Sequence, residues 1–434
     1  MRLLALCSAI VRAKEWMKSG VASQIVIIVD PSSTGAVIAK EIERRGYQLV
    51  CVPMHGEPTE TVGWLAVVES HNLEEMAANL QSIASKAGAD IVCCMAGSEE
   101  GIVLADELAT ALALPSNGVE PKRRNKSLRA TREVSGTTLA EVASFLAAER
   151  YPIIVKPTES AGSDGVKRCV CREAAEAHFE LLMRSQHRYG SAGAAVICQE
   201  FLTGTEYVVD HVSRHGVHRT VMVWRYDRRP NGSGDFVEFN MLPVPSDAPE
   251  VAGLVAYTRG VLDAIGVRHG PTHAEVMLTT EGPCLVEMNC RSHGCSGAWA
   301  PLARRLTGGY SQVEAAADCM LDPAAFGALP DMYCEGGPFK AAGQFVQLVS
   351  KYEGTIVSVE PLEALRQLRS FVCMHVPSSI TPGEPLAITV DIFTAVGFVI
   401  LCHDDAAVVA ADVASIRALE DVGPLVDVAA RGID

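Results

Sequence analysis

Basic charge is the first thing this sequence is short of: 37 Lys and Arg stand against 52 Asp and Glu, a formal net charge of −15 over 434 residues. Broad contact with nucleic acid or an anionic membrane needs a basic face, so neither is expected as a partner. A small basic pocket for a phosphorylated ligand remains open. No CxxC pair occurs among the 14 cysteines, which argues against a zinc ribbon or a thioredoxin-type site. Cys51, Cys93, Cys94, Cys198, Cys284, Cys319 and Cys402 lie in apolar stretches, where free cysteine behaves as a small hydrophobe, so the chain reads as one from a reducing compartment. Long apolar runs are missing too. The most hydrophobic stretch, 386–402, contains Asp391 and falls below the roughly 20 residues of a membrane span. At the start, the short run ending at Val11 has a single Arg before it and Arg12-Ala-Lys-Glu15 after it, so a cleaved signal peptide is not expected. The expected location is the cytoplasm. Repeats, low-complexity segments and a GxSxG nucleophile motif are likewise absent.

What is present is ordinary globular composition, 48% hydrophobic and 21% charged, enough for a core without staples. The length suggests two to four domains. Over 25–120, short apolar runs alternate with helical patterns. Ile25-Val-Ile-Ile-Val29, Leu49-Val-Cys-Val52, Trp64 to Glu69 and Ile91-Val-Cys-Cys-Met95 read as strands, with helices over Ala36 to Arg45 and Val103 to Leu112. That alternation predicts a parallel sheet with crossover helices. The turns Asp30-Pro-Ser-Ser-Thr-Gly35 and Ala96-Gly-Ser-Glu-Glu-Gly101 follow strand C-termini, where such sheets bind ligands. After the basic cluster Lys122-Arg-Arg-Asn-Lys126 and a helix over Thr138 to Glu149, the chain becomes strand-rich to about Asn289. Residues 340–434 read as a unit of short strands (Gly343–Val349, Phe371–Val376, Gly397–Cys402) with a helix over Val408 to Leu419.

The sharpest chemical signal is a hairpin. Thr272-His-Ala-Glu-Val-Met-Leu278 and Cys284-Leu-Val-Glu-Met-Asn-Cys290 alternate in polarity around Thr280-Glu281-Gly282. A three-residue loop ending in Gly is a favoured connection, because its last position takes positive φ. Counting outward pairs Thr279 with Pro283, Met277 with Leu285, Glu275 with Glu287 and His273 with Asn289, and puts Glu287 and Asn289 on one face. Two carboxylates directly opposite one another destabilise a sheet. A hard divalent cation between them, Mg²⁺ or Mn²⁺ given all-oxygen ligands, removes the conflict. A solvated strand face with spread charges is the alternative.

Two further stretches carry weaker signals. Tyr151-Pro-Ile-Ile-Val-Lys156-Pro leads to Ser160-Ala-Gly-Ser-Asp-Gly165-Val, which can set an ammonium and backbone N–H groups around phosphates or be merely a turn. Val196-Ile-Cys-Gln-Glu200-Phe-Leu-Thr-Gly-Thr-Glu206-Tyr-Val-Val flanks Gly204 with carboxylates; alone it is an ordinary strand pair.

Taken in order, these three stretches resemble the ATP-grasp superfamily, and more narrowly its carboxylate–amine ligases, the group that includes bacterial L-amino-acid (dipeptide) ligases. The resemblance runs from about Ile25 to the C-terminus. It implies an α/β fold (α+β in parts), with an N-terminal parallel-sheet α/β domain over 1–120 and an ATP-grasp domain over 121–335. The latter divides into a lysine and Gly-loop subdomain (121–198) and a metal and substrate subdomain (199–335). A small C-terminal α+β domain would follow over 336–434. Residue by residue, Lys126 and Lys156 would hold ATP phosphates, and the loop with Ser160, Gly162, Ser163 and Gly165 would close over them. Glu200 would accept from the adenine amino group beside the Phe201 and Leu202 backbone, and Glu206 would bind the ribose. Glu275, Glu287 and Asn289 would hold Mg²⁺, in agreement with the hairpin, and Arg291 would stabilise the transferring phosphoryl group.

This sequence departs from the family's pattern twice. The stretch between Lys126 and Lys156 is short, as if a helix and a strand were trimmed. Cys295 stands where a second glycine commonly follows the His-Gly pair.

Other polar residues are weighed against this frame. His211, His215 and His218 surround Gly216 and read as a solvated hairpin. His269 and His273 straddle Gly270-Pro271, so a helical zinc motif is excluded. His273 falls on the metal face, and with His293 it is a candidate to touch substrate. Arg225-Tyr-Asp-Arg-Arg-Pro-Asn-Gly232 reads as a basic aromatic turn; under the resemblance, Arg225, Tyr226, Asn231 and Gly232 would help recognise a substrate carboxylate, otherwise the turn is a surface loop.

The expected activity is an ATP-dependent amide or peptide bond-forming ligase acting through an acyl-phosphate. Its implied cofactors are ATP and Mg²⁺ (or Mn²⁺), and its partners amino acids or short peptides; a homodimer is compatible with the sequence. An ATP-grasp enzyme with another acceptor (a carboxylase component or a phosphotransferase) and a non-catalytic nucleotide binder are the alternatives.

Overall fold

Strands β1 (Gln24–Val29), β2 (Gln48–Val52), β3 (Trp64–Val67) and β4 (Asp90–Ala96) form an all-parallel sheet in the order β3-β2-β1-β4. The computed structural model describes residues 23–54, 61–70, 72–118, 132–158, 165–184, 195–230, 236–335 and 338–429. Ile25 through Val29 are buried on both faces, as a β-branched run must be when helices cover both sides of a parallel sheet. The connecting helices are α1 (Thr34–Arg44), α2 (Leu73–Ala87) and α3 (Ile102–Ala111). Sequence reading had not singled out α2. Its ends are marked by an Asn72 cap that accepts from the Glu75 N–H at 3.0 Å and a left-handed Gly88.

A second, antiparallel sheet has the order β5-β8-β6-β7, from β5 (Glu133–Gly136), β6 (Ile153–Pro157), β7 (Lys167–Cys169) and β8 (Val196–Glu200). Helices α4 (Leu139–Ala148) and α5 (Arg172–Arg184) cover it. The segment before Lys156 holds the strand β5 in addition to the expected helix, α4.

The largest sheet has eight strands. Its members are β9 (Thr205–Arg214), β10 (Val217–Pro230), β11 (Phe236–Pro243), β12 (Gly270–Thr279), β13 (Gly282–Asn289), β14 (Ala342–Leu348), β16 (Phe371–His375) and β18 (Gly397–His403), in the order β13-β12-β9-β10-β11-β14-β18-β16. The strands near the C-terminus thus extend the sheet that carries the carboxylate hairpin. Only β15 (Gly354–Ser358), β17 (Pro385–Leu386) and β19 (Asp427–Ala429) form a separate small sheet. Helices α6 (Val251–Ile265), α7 (Ala300–Thr307) and α8 (Gln312–Leu321) share the main core with the large sheet, and α9 (Ala406–Val422) packs on β14 and β18.

Two expectations change here. The basic aromatic stretch is no turn through residue 230: it belongs to β10, paired with β9 and β11. The His211–His218 hairpin exists, but it is not solvated. His211 and His218 are buried, His211 Nε2 lies 2.8 Å from Thr258 Oγ1, and His218 Nδ1 lies 2.8 Å from Ser213 Oγ. The described cysteines are all free.

Candidate active site

The hairpin pairs Glu275 with Glu287 and His273 with Asn289, as counted. The route to that register differs from the expectation. The turn has two residues, so Thr279 faces Gly282 and Met277 faces Cys284, one position off. A bulge then inserts Val286 and restores the count at the carboxylate pair. Because of it, the consecutive Val286 and Glu287 both line the cleft. On β12 the alternation is regular: His273, Glu275 and Met277 face the cleft, while Ala274 and Val276 enter the core.

The cleft has a volume of about 1110 Å³ and is walled by the parallel sheet, the second sheet and the large sheet, with their loops. From the second sheet come Lys156, Gly165, Arg168 and Glu200, followed by the Phe201 to Glu206 connection. Gly204 is required there, since a Cβ would sit 2.2 Å from the Leu278 carbonyl oxygen. From the parallel sheet come the loops after β1 and β4, packed back to back: a Cβ on Gly97 would lie 2.5 Å from the Asp30 carbonyl. The β1 loop docks on the segment after β13, where Thr34 Oγ1 donates to the His293 and Gly294 carbonyls at 2.5 and 2.9 Å.

Charges in this cleft are tightly paired. Arg228 Nε is 2.9 Å from Glu206 Oε2 and its Nη2 is 3.6 Å from Glu275 Oε2, while its guanidinium lies 4.8 Å from the Tyr226 ring centre. Arg291 Nε donates to Glu99 Oε2 at 3.0 Å. Glu200 accepts from the Arg132 backbone N–H and guanidinium at 2.9 and 2.8 Å. Burial opposes ionisation of Glu275, but its hydrogen bond to His273 and the charge of Arg228 hold the carboxyl well below its usual range.

Behind the carboxylates lies a buried triad. Asp210 accepts from His273 Nδ1 at 3.0 Å, His293 Nδ1 at 3.1 Å and Trp224 Nε1 at 2.9 Å. His273 Nε2 is 3.3 Å from Glu275 Oε1. Both its nitrogens face carboxylates, so the ring carries two protons. Burial alone would lower its pKa, but these bonds push it up to about 9. Burial dominates for His293, pulled down to about 4, and its ring stacks on Trp299 at 5.3 Å. The three groups are close enough to hold a cation, yet each Asp210 oxygen already accepts from a ring N–H.

Asn289 meets the demand made of a metal ligand. It is fully buried, its Nδ2 donates to Glu287 Oε1 at 2.9 Å, and its Oδ1 has no hydrogen-bond partner. An orphaned acceptor beside two facing carboxylates is a set of hard oxygen donors suited to a divalent cation.

Of the expected site residues, the fold brings Lys156, Gly165, Glu200, Phe201, Leu202, Glu206, Tyr226, His273, Glu275, Glu287, Arg291 and His293 to the cleft wall, with Asn289 directly behind Glu287. Arg225 is exposed and does not line it. Lys126, Ser160, Gly162, Ser163, Asn231 and Gly232 lie outside the described residues. Sequence reading missed Arg228, Asp210 and Gln347. Arg228 lies two residues beyond Tyr226, hence on the same strand face. Asp210 is followed by His211, and Gln347 shares its strand with Gln344, so neither stands out by composition.

Residues 149–298 match the model of the ATP-grasp domain. The chain is 29% identical over 424 residues to dapdiamide A synthase of Enterobacter agglomerans, covering 92% of this chain and 96% of that one. The chain thus carries an ATP-grasp domain and resembles the carboxylate–amine ligases that contain one. Its fold is that of the L-amino acid ligase from Bacillus licheniformis, with a TM-score of 0.70, 18% identity and coverage of 91% and 97% of the two chains. The ADP complex of N5-carboxyaminoimidazole synthetase from Staphylococcus aureus also matches, with a TM-score of 0.59, 13% identity and coverage of 91% and 98%. The chain is an ATP-dependent ligase. No helix among the described residues is long and apolar enough to cross a membrane.

Proposed function

We propose that this ATP-grasp ligase joins the carboxylate of one amino acid or short peptide to the amino group of another. The observation that carries the reading is the facing pair Glu275 and Glu287 with the orphaned Asn289 Oδ1, set in one cleft with Lys156 and Arg291. Glu275, Glu287 and Asn289 would hold Mg²⁺ or Mn²⁺, which supplies charge neutralisation on ATP phosphate oxygens.

Lys156 and Gly165 contact the phosphates, Phe201 and Leu202 flank the adenine with Glu200, and Glu206 takes the ribose. A carboxylate oxygen of the acid substrate attacks the γ-phosphorus as the bond to ADP breaks, giving an acyl-phosphate. Arg291 offsets the charge that builds on the phosphoryl oxygens. The amine then attacks the acyl carbon, phosphate leaves, and one proton is released to solvent. His273 and His293, fixed by Asp210, border the reacting groups and hold their positions. The reaction is proposed for the cytoplasm, where ATP is supplied.

The test is phosphate release from Mg²⁺–ATP across an amino-acid matrix, with mass spectrometry of the products. ADP and phosphate should appear together with an amide only when an acid and an amine partner are both present. Formation of AMP overturns the reading.

A further inference from the structure

The cleft does not end at the carboxylates. It continues along the same sheet onto β14, β18 and β16, where its lining turns from charged to aromatic. Phe398 lies directly across from Gln347 on one side and His375 on the other. The Phe398 ring stacks on His375 at 5.0 Å and on Phe345 at 4.8 Å. Ile392 and Phe393 line the cleft beside them. The nearby Asp391 turns Oδ1 to its own loop, accepting from the Phe393 and Thr394 N–H groups at 2.9 and 2.8 Å.

Within this apolar wall one polar group is out of place. Gln347 is 2% exposed and lines the cleft, and its amide Nε2 has no hydrogen-bond partner. A buried donor without an acceptor is penalised in the free protein and is rewarded when a ligand oxygen reaches it. Arg417 Nη1 donates to the Gln347 backbone carbonyl at 3.0 Å, fixing the strand that presents the amide.

We infer that Gln347 and the Phe345–Phe398–His375 stack form the subsite for the amine substrate, an amino acid with an apolar side chain whose carboxylate accepts from Gln347. The inference rests on the ligase reading for its choice of substrate. Of the two carboxylates such a reaction brings in, the one to be activated must sit at the Arg291 and metal end. The other belongs to the amine partner, and a neutral amide donor suits a carboxylate that does not react. The aromatic faces take its side chain. The subsite and the carboxylate hairpin line the same cleft, with β14 four strands from β12 in the order of the sheet.

Calorimetric titration of the whole chain with saturating Mg²⁺–ADP tests this. L-Leucine and L-phenylalanine should bind, and L-glutamate and L-lysine should bind at least about tenfold more weakly. Gln347→Leu should weaken L-leucine about tenfold while leaving ADP affinity unchanged, and L-leucinol, which lacks the carboxylate, should not distinguish the two proteins. Gln347→Glu, of nearly the same size, should lose L-leucine at least as strongly. The inference is overturned if no amino acid binds, if charged and apolar ones bind alike, or if Gln347→Leu and Gln347→Glu both retain full L-leucine affinity. L-Leucine binding as expected, without amide product from any acid and amine pair, would instead refute the ligase reading and leave the subsite standing.

Discussion

The two ends of the cleft solve opposite problems on one sheet. At the β12–β13 end charge is in excess, and charged groups are held by one another: Glu275 by His273 and Arg228, Arg291 by Glu99, both histidines by Asp210. At the β14–β18 end charge is scarce, and the polar amide of Gln347 is left unpaired. A paired group is already satisfied without ligand, so its removal damages the protein as well as the chemistry. An unpaired one is satisfied only by what binds. The two kinds of residue should separate in experiments.

The largest separation is expected in turnover. Glu287→Ala should lower the rate of ADP release by about a thousandfold or more, because it removes one of the facing carboxylates. If turnover survives Glu287→Ala, the charged end is not the reaction centre.

Folding stability should separate the ends next, and with opposite signs. Asp210→Asn leaves three buried donors facing a poorer acceptor and should cost about 3–5 kcal/mol, read from urea denaturation midpoints. Gln347→Leu removes an unsatisfied donor, so it should be neutral or stabilise by about 1 kcal/mol. A substantial loss at Gln347 would make it a structural residue and erase the contrast.

The smallest effect is on pH dependence in the metal-free protein. The His273 pKa is raised to about 9 from its ordinary 6.5, so the stability it contributes is full below about pH 6.5 and is lost as pH rises through 9. His293 is depressed to about 4; its contribution is full above about pH 6.5 and is lost as pH falls towards 4. Denaturation midpoints with a chelator present should therefore peak near pH 6.5, and Asp210→Asn should flatten the profile on its alkaline side. A profile identical in both proteins would detach Asp210 from the histidines.

How much of this was legible in the sequence varied with the range of the interaction. The parallel strands near the N-terminus announce themselves as continuous apolar runs, because both of their faces are covered. The Glu275–Glu287 pair was found by counting from a glycine turn, though the count succeeded because the Val286 bulge compensated for a turn one residue shorter than assumed. Alternation is a local signal and survives such errors where the register is pinned by a buried face. Asp210 and Gln347 were not found, because their roles depend on strands far away in sequence, and a polar residue within a strand does not declare its partner. The resemblance implied a unit beginning at residue 336, and the large sheet runs on into that unit.

That seam has a consequence for how such a protein could diversify. The β11–β14 ladder joins through two residue pairs, Asn240 with Val346 and Met241 with Phe345, against seven between β14 and β18. In hydrogen bonding the stretch from β14 onward is thus joined to the hairpin half by a short stitch, while Phe345, Ile400 and Cys402 share the apolar core that α7 packs into. Under the subsite proposed above, exchanging that stretch changes the choice of amine and leaves the hairpin residues in place, provided the α7 contacts are kept.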